Sequence, residues 1–167
     1  MTTAAGTHDD LYAFDITLHG RVPKVADLKA VDTYRDAWGI WATLGVSNDL
    51  LAVPMVIGFD ESLDRLARLE RMYAEPDGSF VWTSPRDSLW WQVDGNAFEK
   101  DGRVLLADLK GSCPASAFDG LLAAFGWPQQ EVMMQLVRAA IFLDESTFRD
   151  HARCRGNAGD GQTLRPR

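Results

Sequence analysis

The stretch from Ser79 to Lys110, SFVWTSPRDSLWWQVDGNAFEKDGRVLLADLK, reads as a β-meander. Phe80 to Trp82, Leu89 to Val93, Asn96 to Glu99 and Val104 to Leu109 are short runs rich in residues that suit a pleated, half-buried surface. Turn chemistry separates them. Pro85 sits where a type I turn wants φ near −65°, and Asp94-Gly95 interrupts the middle of the stretch. Asp101-Gly102 between apolar runs is the strongest hairpin signal in the chain. A two-residue turn there sets Phe98 opposite Leu105 and Glu99 opposite Val104. Carried further, this register places Asp108 opposite Gly95 and beside Asp94, with a bulge expected at Asp94-Gly95. Trp90 and Trp91 are adjacent, so on a strand their rings point to opposite faces.

Upstream, Tyr12 to His19 alternates, with Tyr12, Phe14, Ile16 and Leu18 on one side and His19 on the polar side, as in a half-buried strand. Val25, Leu28, Val31 and Tyr34 recur every three residues, which predicts a helix from Lys24 to about Trp38. The segment 39–46 fits helix or strand equally. Trp38 and Trp41 share a face if it is helical, as core packing or as a platform for a flat ligand. Leu51 to Phe59 reads as an apolar strand demoted to an edge or a bulge by Pro54. A helix follows, with Asp60 as its cap and Leu63, Leu66, Leu69 and Tyr73 as its stripe.

Downstream of the meander, three helices are expected. The first starts at Pro114 with Cys113 at its cap, the second runs from Trp127-Pro128 to Leu143, and the third from Asp144 to about Arg153. The fold class that results is α+β: an antiparallel meander sheet packed by helices, with a three-helix C-terminal segment. Residues 1–10 are read as a flexible N-terminus, 11–154 as one domain, and 155–167 as a disordered, Gly-rich tail.

The 167-residue chain is long enough for a proper core. Its formal charge of −7 argues against nucleic acid and against anionic membranes, both of which call for an excess of Lys and Arg. The segment from Met1 to Asp10 lacks the basic and apolar regions of a signal peptide, and no apolar run is long enough to span a bilayer. Two cysteines make no disulfide framework, and a cytoplasmic location is the expectation.

Candidate chemistry centres on Cys113. A helix N-terminus and Lys110 three residues earlier would both favour a thiolate, and His151 is the histidine placed to act as its base. The same corner would offer backbone N–H groups to an anion. His151 and Cys154, three apart, supply only two metal ligands where a structural zinc needs four, so no metal is expected. Asp94 and Asp108 form a possible carboxylate pair. No nucleotide-binding glycine pattern, Gly-x-Ser-x-Gly or His-Glu-x-x-His occurs, and no cofactor is expected. Two functions follow as expectations. The first is a small acidic interaction module presenting Trp82, Trp90 and Trp91 to a protein partner or to a second copy of itself. The second is a small-molecule enzyme, with a pocket between sheet and helices and Cys113 as nucleophile.

Overall fold

The computed structural model describes residues 9–21 and 30–159. Its elements follow in the order β1 (Leu11–Gly20), β2 (Ala30–Asp36), β3 (Gly39–Leu44), α1 (Asn48–Leu51), α2 (Phe59–Ala67), β4 (Met72–Ala74), β5 (Ser79–Thr83), β6 (Gln92–Lys100), β7 (Arg103–Pro114), α3 (Ala115–Ala124), β8 (Val132–Leu136), β9 (Ile141–Asp144) and α4 (Glu145–Asn157). The strands form one antiparallel sheet in the order β2-β3-β9-β8-β1-β7-β6-β5-β4, which makes the fold α+β.

Helices α3 and α4 cover the sheet face that carries Tyr12, Phe14, Ile16 and Leu18, the apolar side of the alternation in β1. Phe118 of α3 meets Tyr12 and Phe14 edge to face at 5.6 and 5.3 Å, and Phe148 of α4 reaches Phe14 at 6.2 Å. Leu66 of α2 joins the same core beside Phe80 and Trp82. The opposite face is largely polar. A small second cluster there joins Leu44, Met133 and Phe142 to Leu50 and Leu51 of α1.

The meander forms as three strands rather than four. Asp101 and Gly102 have φ of 52° and 78°, so both turn residues are left-handed, and Lys100 pairs with Arg103 as a two-residue hairpin requires. The register shifts at Phe98/Glu99 instead of at Asp94-Gly95. Glu99 therefore faces Val104 as expected, but Phe98 faces Leu106, and Asp108 lies opposite Asn96. Gly95 continues β6 because the Phe80 ring occupies the space above it: a Cβ at residue 95 would lie 2.0 Å from Phe80 Cζ.

Two expected helices take other forms, and the segment left open between helix and strand is a strand. Residues 24–29 of the first lie outside the described residues, and 30–36 form edge strand β2. Its side chains from Asp32 to Asp36 are exposed or half-buried, so an edge position erased the period-two signal that burial would have written. The undecided segment after Gly39 is β3. The span from Trp127 to Leu143 is the β8–β9 hairpin, and the C-terminal segment is helix, hairpin, helix rather than three helices. Val132, Met133 and Met134 are all buried, one side of the sheet being covered by α4 and the other by the second cluster. A strand buried on both faces reads as continuous apolar sequence, and periodicity does not separate that from a helix.

Smaller differences are local. The apolar run after Leu51 is no ladder strand. It lies along the end of β7 through Met55 N–H to Val104 O (2.7 Å) and Val104 N–H to Ile57 O (3.2 Å). Asp60 falls in the first turn of α2, whose cap position is Gly58, and Tyr73 lies on β4. The third expected helix does begin at Asp144, whose carboxylate accepts from Thr147 N–H at 2.7 Å, and it runs on to Asn157. Residues 155–157, assigned to a disordered tail, are thus helical, while 160–167 lie outside the described residues. At the other end, Asp9 and Asp10 are held: Asp9 accepts from Ser116 of α3, and Asp10 from Arg153 of α4 at 2.8 Å.

Gly95→Ala is expected to lower stability by about 1–3 kcal/mol, the usual cost of overpacking a closed site. Gly95→Ala/Phe80→Leu should cost less than the two single changes added together. Urea denaturation of the four proteins checks this, and strict additivity would mean that the Phe80 ring is not what requires glycine.

Candidate functional site

Strand β1 is paired with β7 from Leu11 to His19, but β8 accompanies only its second half, from Ile16 to Gly20. The last contact on that side is Val137 N–H to Asp15 O, 3.2 Å, where the chain turns toward β9. Helix α4 closes the far end of the gap, its Gly156 so near Leu11 O that a Cβ there would lie 1.7 Å from the oxygen. A cavity of about 500 Å³ remains between the hairpin turn, α4 and the β2–β3 turn. Its wall carries Tyr34, Asp36 and Trp38 from the β2–β3 hairpin, and His151 and Arg155 one turn apart on α4.

Asp36 organises this wall. Its Oδ1 accepts from Trp38 N–H (2.9 Å), Gly39 N–H (3.2 Å) and the Trp41 indole (3.0 Å), and its Oδ2 lies 2.7 Å from His151 Nε2. Four donors use essentially the full accepting capacity of a carboxylate. Burial pushes the Asp36 carboxyl upward, but the bonds from Trp41, His151 and Trp38 outweigh it and hold the group below its ordinary value, as the carboxylate. Asp36 thereby also makes the turn, since a side chain bonding backbone N–H groups two and three residues on is an Asx turn.

His151 is nearly buried, its side chain 3% exposed. Burial lowers its pKa; the Asp36 hydrogen bond and charge act the other way without cancelling that, so the imidazole is neutral at pH 7. A carboxylate only accepts, so the proton of the neutral ring sits on Nε2 and Nδ1 carries the lone pair. No hydrogen bond among the described residues engages Nδ1. Trp38 and Trp41 hold the ring edge to face at 5.6 and 5.0 Å, and the Arg155 guanidinium lies 5.1 Å over the Trp38 ring.

The other sequence candidates fall elsewhere. Cys113 lies in β7, with no exposed surface, paired with Tyr12. Lys110, three residues away on the same strand, points to the opposite face and cannot activate it. The N-terminus of α3 is already occupied, because Ala115 N–H bonds Asp10 O and both the N–H and hydroxyl of Ser116 bond the Asp9 carboxylate. Burial pushes the Cys113 thiol well up, Asp9 adds to this, and Arg149 opposes it only in part. Cys113 is a packing thiol, and no hydrogen bond or ring contact among the described residues joins it to His151.

Of the three aromatic candidates, Trp82 and Trp91 are core residues, 5% and 7% exposed, with rings edge to face at 4.8 Å. Only Trp90 is exposed, at 36%, beside Leu89 in the loop before β6. Asp94 and Asp108 are not opposed across the sheet: Asp94 lies opposite Lys110, and Asp108 lies opposite Asn96 and accepts from Thr17 Oγ1 at 2.8 Å. His19, read as a solvated residue of the polar face, is buried. Its Nε2 has no partner among the described residues, and burial lowers its pKa although Asp108 pulls it up. Among the described residues no three His, Cys, Asp or Glu side chains gather as a metal site, and no helix is long and apolar enough to cross a membrane.

Asp36 and Tyr34 were missed as site residues, while Trp38 was read with Trp41 as core packing or a platform for a flat ligand. One local signal existed: Asp36-Ala37-Trp38-Gly39 is an Asp-x-x-Gly turn sequence, inside what the three-residue spacing suggested was a helix. Comparison of the chain with protein families, with curated proteins and with solved structures finds no match.

Asp36→Asn is expected to reverse the His151 tautomer, because an amide N–H facing Nε2 needs the lone pair there and sends the ring proton to Nδ1. Histidine ¹⁵N shifts read the switch, together with a loss of about 1.5–3 kcal/mol for a hydrogen bond to a charged group. An unchanged tautomer would contradict the assigned proton. Both His19 and His151 have folded pKa values below the unfolded one, so the unfolded chain takes up protons first. Their contribution is intact above about pH 6.5 and is lost as pH falls toward the folded values. Unfolding free energy should therefore decline below pH 6.5, with a shallower slope in His19→Leu.

Proposed function

We propose that this protein binds a small molecule in the cavity between α4 and the β2–β3 turn, with His151 Nδ1 as the atom that accepts the ligand's proton or hydrogen bond. The single observation that carries this reading is the Asp36–His151 contact of 2.7 Å on a cavity wall. A carboxylate behind a neutral imidazole orients the ring, keeps its proton on the nitrogen that faces the carboxylate and stabilises the imidazolium when the free nitrogen takes up a proton. Ligand sites are typically concave, mostly apolar, and supplied with a few fixed polar groups, and Phe14, Trp38, Leu136 and Ala139 provide the apolar part here. The interaction-module reading has lost two of its three aromatic residues to the core, and the enzyme reading has lost Cys113. His151 keeps the pocket between sheet and helix, with a proton acceptor in place of a nucleophile.

The two ring nitrogens are separable by substitution. A glutamine amide reaches the place of Nε2, so His151→Gln keeps a donor for Asp36 while removing the acceptor at Nδ1. A fragment screen followed by the indole N–H resonances of Trp38 and Trp41 is expected to find compounds that shift both. Their affinity should fall at least tenfold in His151→Gln, with thermal stability changed by only a few degrees. Fragments that shift neither indole, or that bind His151→Gln unchanged, would sink the proposal.

A further inference from the structure

We infer that the free edge of β4 is a contact between two copies of this chain, in which two β4 strands pair antiparallel about Tyr73 and join two sheets into one. This edge lies at the opposite end of the sheet from β2, and its role is independent of the cavity.

Strand β4 ends the sheet and pairs only with β5. Glu75 N–H bonds Ser79 O at 2.8 Å and Thr83 N–H bonds Arg71 O at 3.3 Å, so the backbone groups of residues 71, 73 and 75 point inward to β5. Those of Met72 and Ala74 therefore point outward. Met72 N–H is taken by Leu69 O, but no hydrogen bond among the described residues engages Met72 O or either backbone group of Ala74. A second β4, turned by a two-fold axis at Tyr73, supplies the missing partners: Ala74 N–H of each copy meets Met72 O of the other.

The side chains fit the same register. Tyr73, 62% exposed, falls opposite its own copy at a non-hydrogen-bonded pair, where side chains approach most closely, and Val81 lies beside it on the largely polar face. On the other face, Met72 and Ala74 are half-buried against the core, and each falls opposite the other in the second copy, which continues that core. Arg71 falls beside Glu75 of the second copy at both ends, giving two pairs of opposite charge. A register centred on Ala74 would set Tyr73 against Glu75 instead.

This complementarity is specific to the β4 edge. A two-fold axis normal to a sheet keeps each residue on its own face, so residues that oppose each other across it are an even number of positions apart. Arg71 and Glu75 are four apart. On β2, the other edge, Arg35 is three from Asp32 and one from Asp36, so no such register joins opposite charges, and pairing about Tyr34 sets Asp32 against Asp36. Of the nine large apolar side chains exposed among the described residues, Tyr73, Val81, Leu89 and Trp90 lie on β4, β5 and the loop after β5. Because the contact is isologous, it closes with two copies and does not propagate into a fibre.

Sedimentation equilibrium of the full chain from about 10 μM to about 1 mM spans the affinities of small interfaces, and a reversible dimer is expected. Glu75→Arg and Arg71→Glu should each raise its dissociation constant at least tenfold. An equimolar mixture of the two variants should associate as well as the native chain, since each end of the mixed pair again joins opposite charges. A variant that had lost its fold would not be rescued in this way. Cys154 is half-buried, so cross-linking is read in a Cys154→Ser background. There Tyr73→Cys is expected to form an intermolecular disulfide at least ten times faster than Glu75→Cys, the two Cα atoms across the axis being about 4.5 Å apart. A monomer at 1 mM would overturn the inference, and so would assembly beyond a dimer. A dimer that withstands both charge reversals, or that cross-links no faster through Tyr73→Cys than through Glu75→Cys, forms through another surface and would overturn it as well.

Discussion

The mismatch in length between β1 and β8 governs the rest of the molecule. Strand β1 is central, with the β7–β6–β5–β4 meander on one side and the β8–β9 and β2–β3 hairpins on the other. Because β8 ends at Leu136, opposite Ile16, the residues of β1 from Leu11 to Asp15 have a strand partner on one side only. Buried backbone groups and apolar side chains still have to be covered there. Helix α4 does this, and glycine at residue 156 is what lets helix and strand backbone approach so closely. A strand in place of the helix would have filled the gap and left no cavity.

That geometry explains why one carboxylate carries so much. The β2–β3 hairpin sits at the sheet edge, where β3 meets β9 at a single register pair, Leu44 with Phe142. Asp36 compensates by joining three parts of the structure: the hairpin turn, the Trp41 indole and helix α4. Through Asp36, α4 is thus tied to the turn and to the Trp41 indole. The same coupling orients His151, so the contact that stabilises the hairpin also prepares a proton acceptor. One interaction serves the fold and the site together.

The meander was legible because its determinants are local. Asp101-Gly102 needs two left-handed residues, and both are found there. The bulge was misplaced because the need for it arises from packing between strands: Phe80 lies over Gly95, so the glycine serves a ring from the next strand rather than a break in its own. The β8–β9 hairpin was read as a helix because both faces of β8 are buried. Trp82 and Trp91 were read as a presented surface, but their rings pack edge to face on each other and the Trp82 indole bonds Glu70 O, contacts made through the tertiary structure. His151 was singled out, but paired with the wrong residue. Its partner is 115 residues away, a separation that no spacing rule spans.

By itself the sequence determined the α+β class, a half-buried strand over Tyr12–His19, the tight turn of the meander, the start of α4 at Asp144 and the net acidic charge of the chain. Each depends on near neighbours: alternation along one strand, two turn residues, one cap, or a sum of charges. Tertiary structure alone decided that Cys113 is buried, that Asp36 and His151 meet, and that both lie on the wall of one cavity. Those outcomes follow from which strands end early and which helix covers the gap, because burial and distance set both the pKa of a thiol and the partner of a histidine.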